Sequence, residues 1–60
     1  MGWLRDIPVW DGWVNGRYYE IYEEDGKFVV CEYGKDKDEL PRFHPRKYGR
    51  LSEALSAIGA

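Results

Sequence analysis

The chain has 60 residues, of which 43% are hydrophobic and 17% aromatic, and its nine Lys and Arg against eleven Asp and Glu give a net charge of −2. This length allows one domain, residues 1–60, whose core is too small to enclose a pocket for a drug-sized substrate. A lone cysteine, Cys31, excludes an internal disulfide and any multi-cysteine metal site. We therefore expect a folded, non-enzymatic protein without a cofactor, a metal or a small-molecule substrate.

The sequence shows no membrane or export signal. No apolar run approaches the ~18 residues of a membrane span, and the start MGWLRDIP lacks the apolar stretch of a signal peptide. We therefore expect a cytoplasmic protein. The charge is unevenly distributed, since residues 1–40 carry five Lys/Arg and ten Asp/Glu whereas residues 41–60 carry four Lys/Arg and one Glu.

The first predicted strand precedes an Asn-Gly turn. The stretch VWDGWVNG contains two turn dipeptides, Asp11-Gly12 and Asn15-Gly16, which are too close together to close two full hairpins. Asn-Gly is the stronger signal, so we predict a strand at about residues 7–14 that pairs with residues 17–23. Strict pairing sets Asp11 opposite Glu20, a like-charge contact, and a bulge or kink at Gly12 relieves it.

The clearest element is a hairpin over residues 17–34, RYYEIYEEDGKFVVCEYG. If Asp25-Gly26 is a two-residue turn, Glu24 faces Lys27. If residues 24–26 form a three-residue loop with a glycine bulge, Glu23 faces Lys27 instead. A slip of one residue exchanges the two faces of a strand, and the second register gives one face without charge. We therefore predict the bulged loop.

The predicted register sorts the hairpin side chains into two faces. The uncharged face carries Tyr19, Ile21, Val29, Cys31 and Tyr33. The opposite face is half aromatic and half acidic, and it carries Tyr18, Glu20, Tyr22, Phe28, Val30 and Glu32.

The chain ends in a predicted helix. Residues 34–40, GKDKDEL, form a charged loop, and LPRFHPR is at best a short edge strand because its prolines cannot donate to a ladder. The last thirteen residues, YGRLSEALSAIGA, place Leu51, Ala54, Leu55 and Ile58 at the spacing of one helical face, and Gly59 stops the helix. The predicted fold is α+β, with a small three-stranded antiparallel sheet, one C-terminal helix and, as an alternative, a further short edge strand before that helix.

No group of residues has the pattern of a catalytic site. We expect the carboxylates of Glu23, Glu24 and Asp25 to lie at a hairpin tip in water, without the pocket that acid–base catalysis needs. A single histidine, His44, and a single cysteine are too few for a metal site or a nucleophile–base pair with an orienting group.

The aromatic and acidic face is the better indication of function. A three-stranded sheet with one helix covers one face only, and monomers seldom leave a large apolar face bare. Either the N-terminal segment folds across it, through Trp3, Leu4, Ile7 and Trp10, or another protein chain covers it. The predicted protein-binding residues are Trp13, Tyr18, Glu20, Tyr22, Phe28, Val30 and Glu32.

The basic stretch RFHPRKYGR gives a second hypothesis. Its basic side chains can neutralise phosphates, and an aromatic ring such as Tyr48 can stack on a base. The candidate nucleic-acid residues are Arg42, Arg46, Lys47, Tyr48 and Arg50. The alternative is that the aromatic rings point inward while the basic groups face water or balance the acidic loop.

The order of elements also carries a resemblance. The hairpin GRYYEIYEEDGKFVVCEYG followed by KYGRLSEALSAI resembles the arm-type DNA-binding domains of phage tyrosine integrases and the plant ethylene-response-factor domain. The resemblance implies DNA binding by the sheet face in the major groove. This sequence departs from that pattern because its predicted face carries Glu20 and Glu32 and no central Arg or Lys.

The function that we expect is therefore a small binding protein whose partner is another protein or a second copy. An inhibitor or regulator from a phage or mobile element is one such protein. DNA binding through residues 42–50 is the alternative.

Overall fold

A computed structural model describes residues 7–36 and 38–60 of the chain. Its elements follow in the order β1 (Trp10–Val14), β2 (Arg17–Glu24), β3 (Lys27–Gly34), β4 (Arg42–Tyr48) and α1 (Leu51–Ile58). The strands form one antiparallel sheet in the order β1-β2-β3-β4. The α+β fold is confirmed. The alternative edge strand exists and is seven residues long.

The helix packs on one face of the sheet, which we call the helix side. Ala54 and Ile58 are buried there with Tyr19, Ile21 and Val30, and Leu51 and Leu55 pack at the margin. The predicted apolar stripe of the helix is thus confirmed. Gly59 ends the helix with a φ of 87°, which a glycine adopts at little cost. No helix in the described ranges is long and apolar enough to cross a membrane.

Two-residue turns close both of the first hairpins. Asn15-Gly16 and Asp25-Gly26 each have positive φ at both residues, which is the requirement of a type I′ turn. Glu24 therefore pairs with Lys27, and Ile21 pairs with Val30. The predicted three-residue loop is wrong. The two-residue type I′ turn, whose twist matches that of the strands, determines the register. This register leaves carboxylates on both faces of the sheet.

The predicted bulge or kink at Gly12 is also wrong. Strand β1 pairs without a break, and Asp11 lies directly opposite Glu20. The glycine has a different role, because a Cβ on Gly12 would lie 3.1 Å from the Trp10 ring. The bare backbone thus leaves room for the indole, which packs against the helix-side core.

The edge strand β4 accommodates its internal proline through an irregularity. The pairing with β3 shifts between Val29 and Cys31, opposite the stretch of β4 that contains Pro45. Proline has no N–H to give to a ladder, and edge strands with a bulge are where sheets tolerate it. The sequence correctly indicated an edge position, but it underestimated the length of the strand.

Two valines, one buried and one exposed, allow the observed register to be tested. Val30 is fully buried beneath the helix, whereas Val9 is 46% exposed. We expect Val30→Ala to lower the free energy of unfolding by about 2 kcal/mol, because it leaves a cavity in a close-packed core. Val9→Ala should change it by less than about 0.5 kcal/mol. Urea unfolding followed by tryptophan fluorescence measures both, and equal effects would contradict the observed register.

Candidate functional site

The face of the sheet opposite the helix, which we call the second face, is rich in aromatic and acidic side chains. It carries Asp11 and Trp13 from β1, Tyr18, Glu20, Tyr22 and Glu24 from β2, Lys27, Val29, Cys31 and Tyr33 from β3, and Phe43 and Lys47 from β4. Side chains alternate across a strand, so the register fixes this set.

The structure splits the predicted protein-binding residues between two faces. Trp13, Tyr18, Glu20 and Tyr22 share the second face. Phe28 and Val30 instead pack on the helix side, and Glu32 lies there also, where His44 Nε2 contacts its carboxylate at 3.1 Å. These three residues belong to β3, and an error of one residue in the predicted register assigned them to the wrong face. The two-residue turn, applied to the sequence, would have placed Tyr33 on the second face.

The carboxylate of Glu20 is the polar centre of the second face. It accepts hydrogen bonds from the hydroxyls of Tyr22 at 2.5 Å, Tyr33 at 2.9 Å and Tyr18 at 3.4 Å. A carboxylate that is partly removed from water needs such donors to avoid a large desolvation cost. The three tyrosines thus hold Glu20 on a largely apolar face, and Glu20 in turn orients their rings.

The same network changes the acidity of the tyrosines. Burial, with the nearby charges of Asp11 and Glu20, raises the pKa of Tyr18 to about 12. Burial and the hydrogen bond to Glu20 raise the pKa of Tyr33 to about 12 and shift the pKa of Tyr22 upward as well. All three hydroxyls therefore stay protonated and remain donors at neutral pH.

Trp13 is the most exposed aromatic side chain of this face. It is 53% exposed, and its ring centre lies 5.3 Å from that of Tyr18, at an interplanar angle of 55°. The Tyr18 ring in turn lies 5.5 Å from Tyr33. Trp13 therefore stands at the end of a row of aromatic rings whose orientation the Glu20 hydrogen bonds fix.

The carboxylates beside Trp13, those of Asp11 and Glu20, form no ion pair with any residue that the structure describes. The ion pairs there join Glu32 to Arg17 and His44, and Glu24 to Lys47. Asp11 is exposed and lies opposite Glu20 across the β1–β2 ladder. The exposed tryptophan thus adjoins two negative charges without a described counter-ion.

The N-terminal segment predicted to fold across this face lies only partly within the described residues. Trp3 and Leu4 lie outside the described residues. Trp10 packs on the helix side instead, and Ile7 is 78% exposed. The expectation is therefore wrong for Trp10.

The basic stretch does not form one surface. It is strand β4 and the start of the helix, so its side chains alternate between faces. Lys47 lies on the second face with its Nζ 3.4 Å from Glu24, while the Arg46 guanidinium lies 5.4 Å from the Tyr48 ring centre, at the helix side. Arg50 is exposed just before the helix.

Cys31 and His44, the two residues considered above for nucleophilic or metal chemistry, lie on opposite faces of the sheet. Burial raises the pKa of the Cys31 thiol, which keeps it protonated at neutral pH. His44 lies on the other face and holds the pKa of Glu32 below its usual range through a hydrogen bond, with help from Arg17. No group of three metal-ligating side chains occurs among these residues.

Comparisons with protein-family models, with curated proteins and with solved structures find no match to this chain. The resemblance to integrase and ethylene-response-factor domains therefore stays a prediction.

The Glu20 network predicts a loss of stability in alkali. Above pH 10 an unfolded tyrosine loses its proton, whereas Tyr18 and Tyr33 retain theirs in the fold until about pH 12. The free energy of unfolding should therefore fall as the pH rises from 10 towards 12. Urea unfolding across that range measures the fall, and Tyr33→Phe should make it shallower.

The Glu20→Gln variant is the control for that prediction. Loss of the charge should lower the midpoints at which Tyr18 and Tyr33 ionise, but not to their ordinary value, because burial is the larger cause of the shift. Phenolate absorbance follows the ionisation. Unchanged midpoints in the variant would mean that the tyrosine hydroxyls do not donate to this carboxylate.

Proposed function

We propose that this chain is a small, non-enzymatic protein-binding module, and that its partner docks on the second face around Trp13. The observation that carries the proposal is the position of Trp13, half exposed over the Tyr18 ring and next to Asp11. Exposed tryptophans with tyrosines beside them are the side chains that most often anchor protein interfaces.

The rigidity of the surroundings supports the same proposal. Tyr18 and Tyr22 are buried, and the hydroxyls of both donate to Glu20. A partner that packs against Trp13 thus meets a surface whose rings are already ordered, so little side-chain entropy is lost on binding. Phe43, 48% exposed on the same face, extends the apolar area toward β4.

The charge of the site favours a partner with a basic surface. Asp11 and Glu20 lie opposite each other beside the tryptophan. A lysine or arginine of the partner can approach both carboxylates and the face of the indole, which also attracts cations. A chain of this size and chemistry would act as an inhibitor or regulator of the protein that it binds, as accessory proteins of phages and mobile elements do.

Nucleic-acid binding is the second candidate. Arg42 and Arg50 make no ion pair with any other described residue, and both are exposed. These two arginines, with Arg46 and Lys47, would contact phosphates, and Tyr48 would stack on a base. The pairing of Lys47 with Glu24 and the division of the basic groups between two faces weigh against one continuous contact.

Photo-crosslinking from defined positions tests the proposal. A photoreactive amino acid replaces Trp13 in one variant, the exposed helix residue Ser56 in a second and Arg50 in a third. In the source cells we expect protein adducts from position 13 and few from position 56. Adducts to nucleic acid from position 50 would favour the second candidate, and protein adducts from position 56 alone would contradict a site at Trp13.

The purified complex then gives a quantitative test. Trp13→Ala should weaken binding by about 2 kcal/mol, as expected for the central anchor of an interface. The fold should be retained because Trp13 is 53% exposed. Val9→Ala is the control, since it shortens another exposed side chain near the same strand. Equal affinities for both variants in titration calorimetry would remove Trp13 from the interface.

A further inference from the structure

The two edges of the sheet differ in how they are protected. Strand β4 carries Pro45 and the basic residues Arg42, Arg46 and Lys47, which are features that prevent another strand from adding. Strand β1, Trp10–Val14, contains neither a proline nor a lysine. No described strand lies beyond it. The unprotected edge of the described sheet is therefore β1.

The register identifies which backbone groups point away from the sheet at this edge. Val14 and Arg17 flank a two-residue turn, so they exchange hydrogen bonds with each other. Hydrogen-bonded and non-bonded pairs alternate along an antiparallel ladder. Gly12 therefore bonds to β2, while the N–H and C=O groups of Asp11 and Trp13 point outward, where an added strand can pair with them.

The side chains of the same two residues lie on the second face. Asp11 is exposed, and Trp13 presents its indole beside it. An added strand would place its own side chains next to these two on that face. One short strand thus offers both the main-chain groups for pairing and the side chains that select the partner.

We propose that β1 accepts an extended segment of a partner protein as a fifth strand, and that this segment carries a lysine or arginine beside Asp11. The inference rests on the proposed function and specifies its mode of binding. The cation would contact the carboxylate of Asp11 and lie against the Trp13 ring. It would supply the positive charge that no described residue provides to Asp11 and Glu20.

A second copy of this chain fits the edge less well. The only charged residue of β1 is Asp11, so pairing β1 with another β1 brings two carboxylates to one seam and no cation. Like charges across a strand pair destabilise it. The complementary segment is therefore basic and belongs to a different protein.

The test uses the full chain, isotopically labelled for NMR, and two short capped peptides. One peptide alternates threonine and lysine, so that all its lysines lie on one face of a strand. The other has glutamate in place of lysine. We expect the lysine peptide to shift the amides of Asp11 and Trp13 and to slow their hydrogen exchange, because both N–H groups become hydrogen-bonded. The glutamate peptide should do neither.

Three variants separate the charge from the backbone pairing. Asp11→Asn removes the charge and should weaken binding of the lysine peptide about threefold. Asp25→Asn makes the same change of net charge in the β2–β3 turn and should leave the affinity unchanged. Asp11→Pro also removes an outward N–H, which an edge strand tolerates, and should abolish binding. The amide spectrum of each variant shows whether its fold is retained.

Several results would overturn the inference. They are equal binding of both peptides, no binding of the lysine peptide, shifts confined to residues 42–50, and self-association of the free protein through β1. If the lysine peptide shifts the Trp13 side chain but leaves the exchange of the Asp11 and Trp13 amides unchanged, strand addition is wrong and protein binding at Trp13 stands. Absence of crosslinks from position 13 would reject the proposed function itself.

Discussion

A two-residue turn allows only one pairing register between the strands that flank it. Two such turns determine which residues face each other in most of this sheet. Once Asn15-Gly16 and Asp25-Gly26 adopt positive φ, the facing residues along β1, β2 and most of β3 follow. The helix side receives Ile21 and Val30 from this choice. The second face receives Glu20 and the tyrosines. Every feature of the candidate site therefore depends on four residues that are not part of it.

This register places the Glu20 carboxylate among aromatic side chains, and hydrogen bonds from three tyrosines offset the cost of removing it from water. Glu20 accepts hydrogen bonds from Tyr18, Tyr22 and Tyr33, of which Tyr33 comes from the neighbouring strand. The network links β2 and β3 through side chains as well as through the backbone. It also explains why Asp11 and Glu20 can face each other without a bulge, since the tyrosine hydroxyls donate to the Glu20 carboxylate while the Asp11 carboxylate stays exposed to water.

Much of the fold was predictable because its signals are local. The Asn-Gly turn, the helical spacing of Leu51, Ala54, Leu55 and Ile58, and the glycine that stops the helix are each set by a few neighbouring residues. The predicted register of β3 is wrong, because the number of charges on each face is a misleading criterion for this hairpin. That count treats Glu20 as unsatisfied. Its partner Tyr33 is thirteen residues away, and only the folded sheet brings the two together.

The candidate site was predictable to the same degree. Trp13, Tyr18, Glu20 and Tyr22 were placed together correctly because they lie on β1 and β2, where the Asn-Gly turn gave the pairing. Phe28, Val30 and Glu32 were misplaced with their strand. The sequence of Asp11 and its neighbours indicates only an unfavourable contact with Glu20. The exposure of Asp11 beside Trp13 is a property of the folded sheet.

The proline in β4 has a consequence for the size of any assembly. A strand that adds to one edge of a sheet can start a continuous filament only if the opposite edge also accepts a strand. Pro45 interrupts that opposite edge, and Arg42, Arg46 and Lys47 surround it with charge. Growth by edge pairing would thus stop after one addition, so a complex formed at β1 would not extend into a filament through β4.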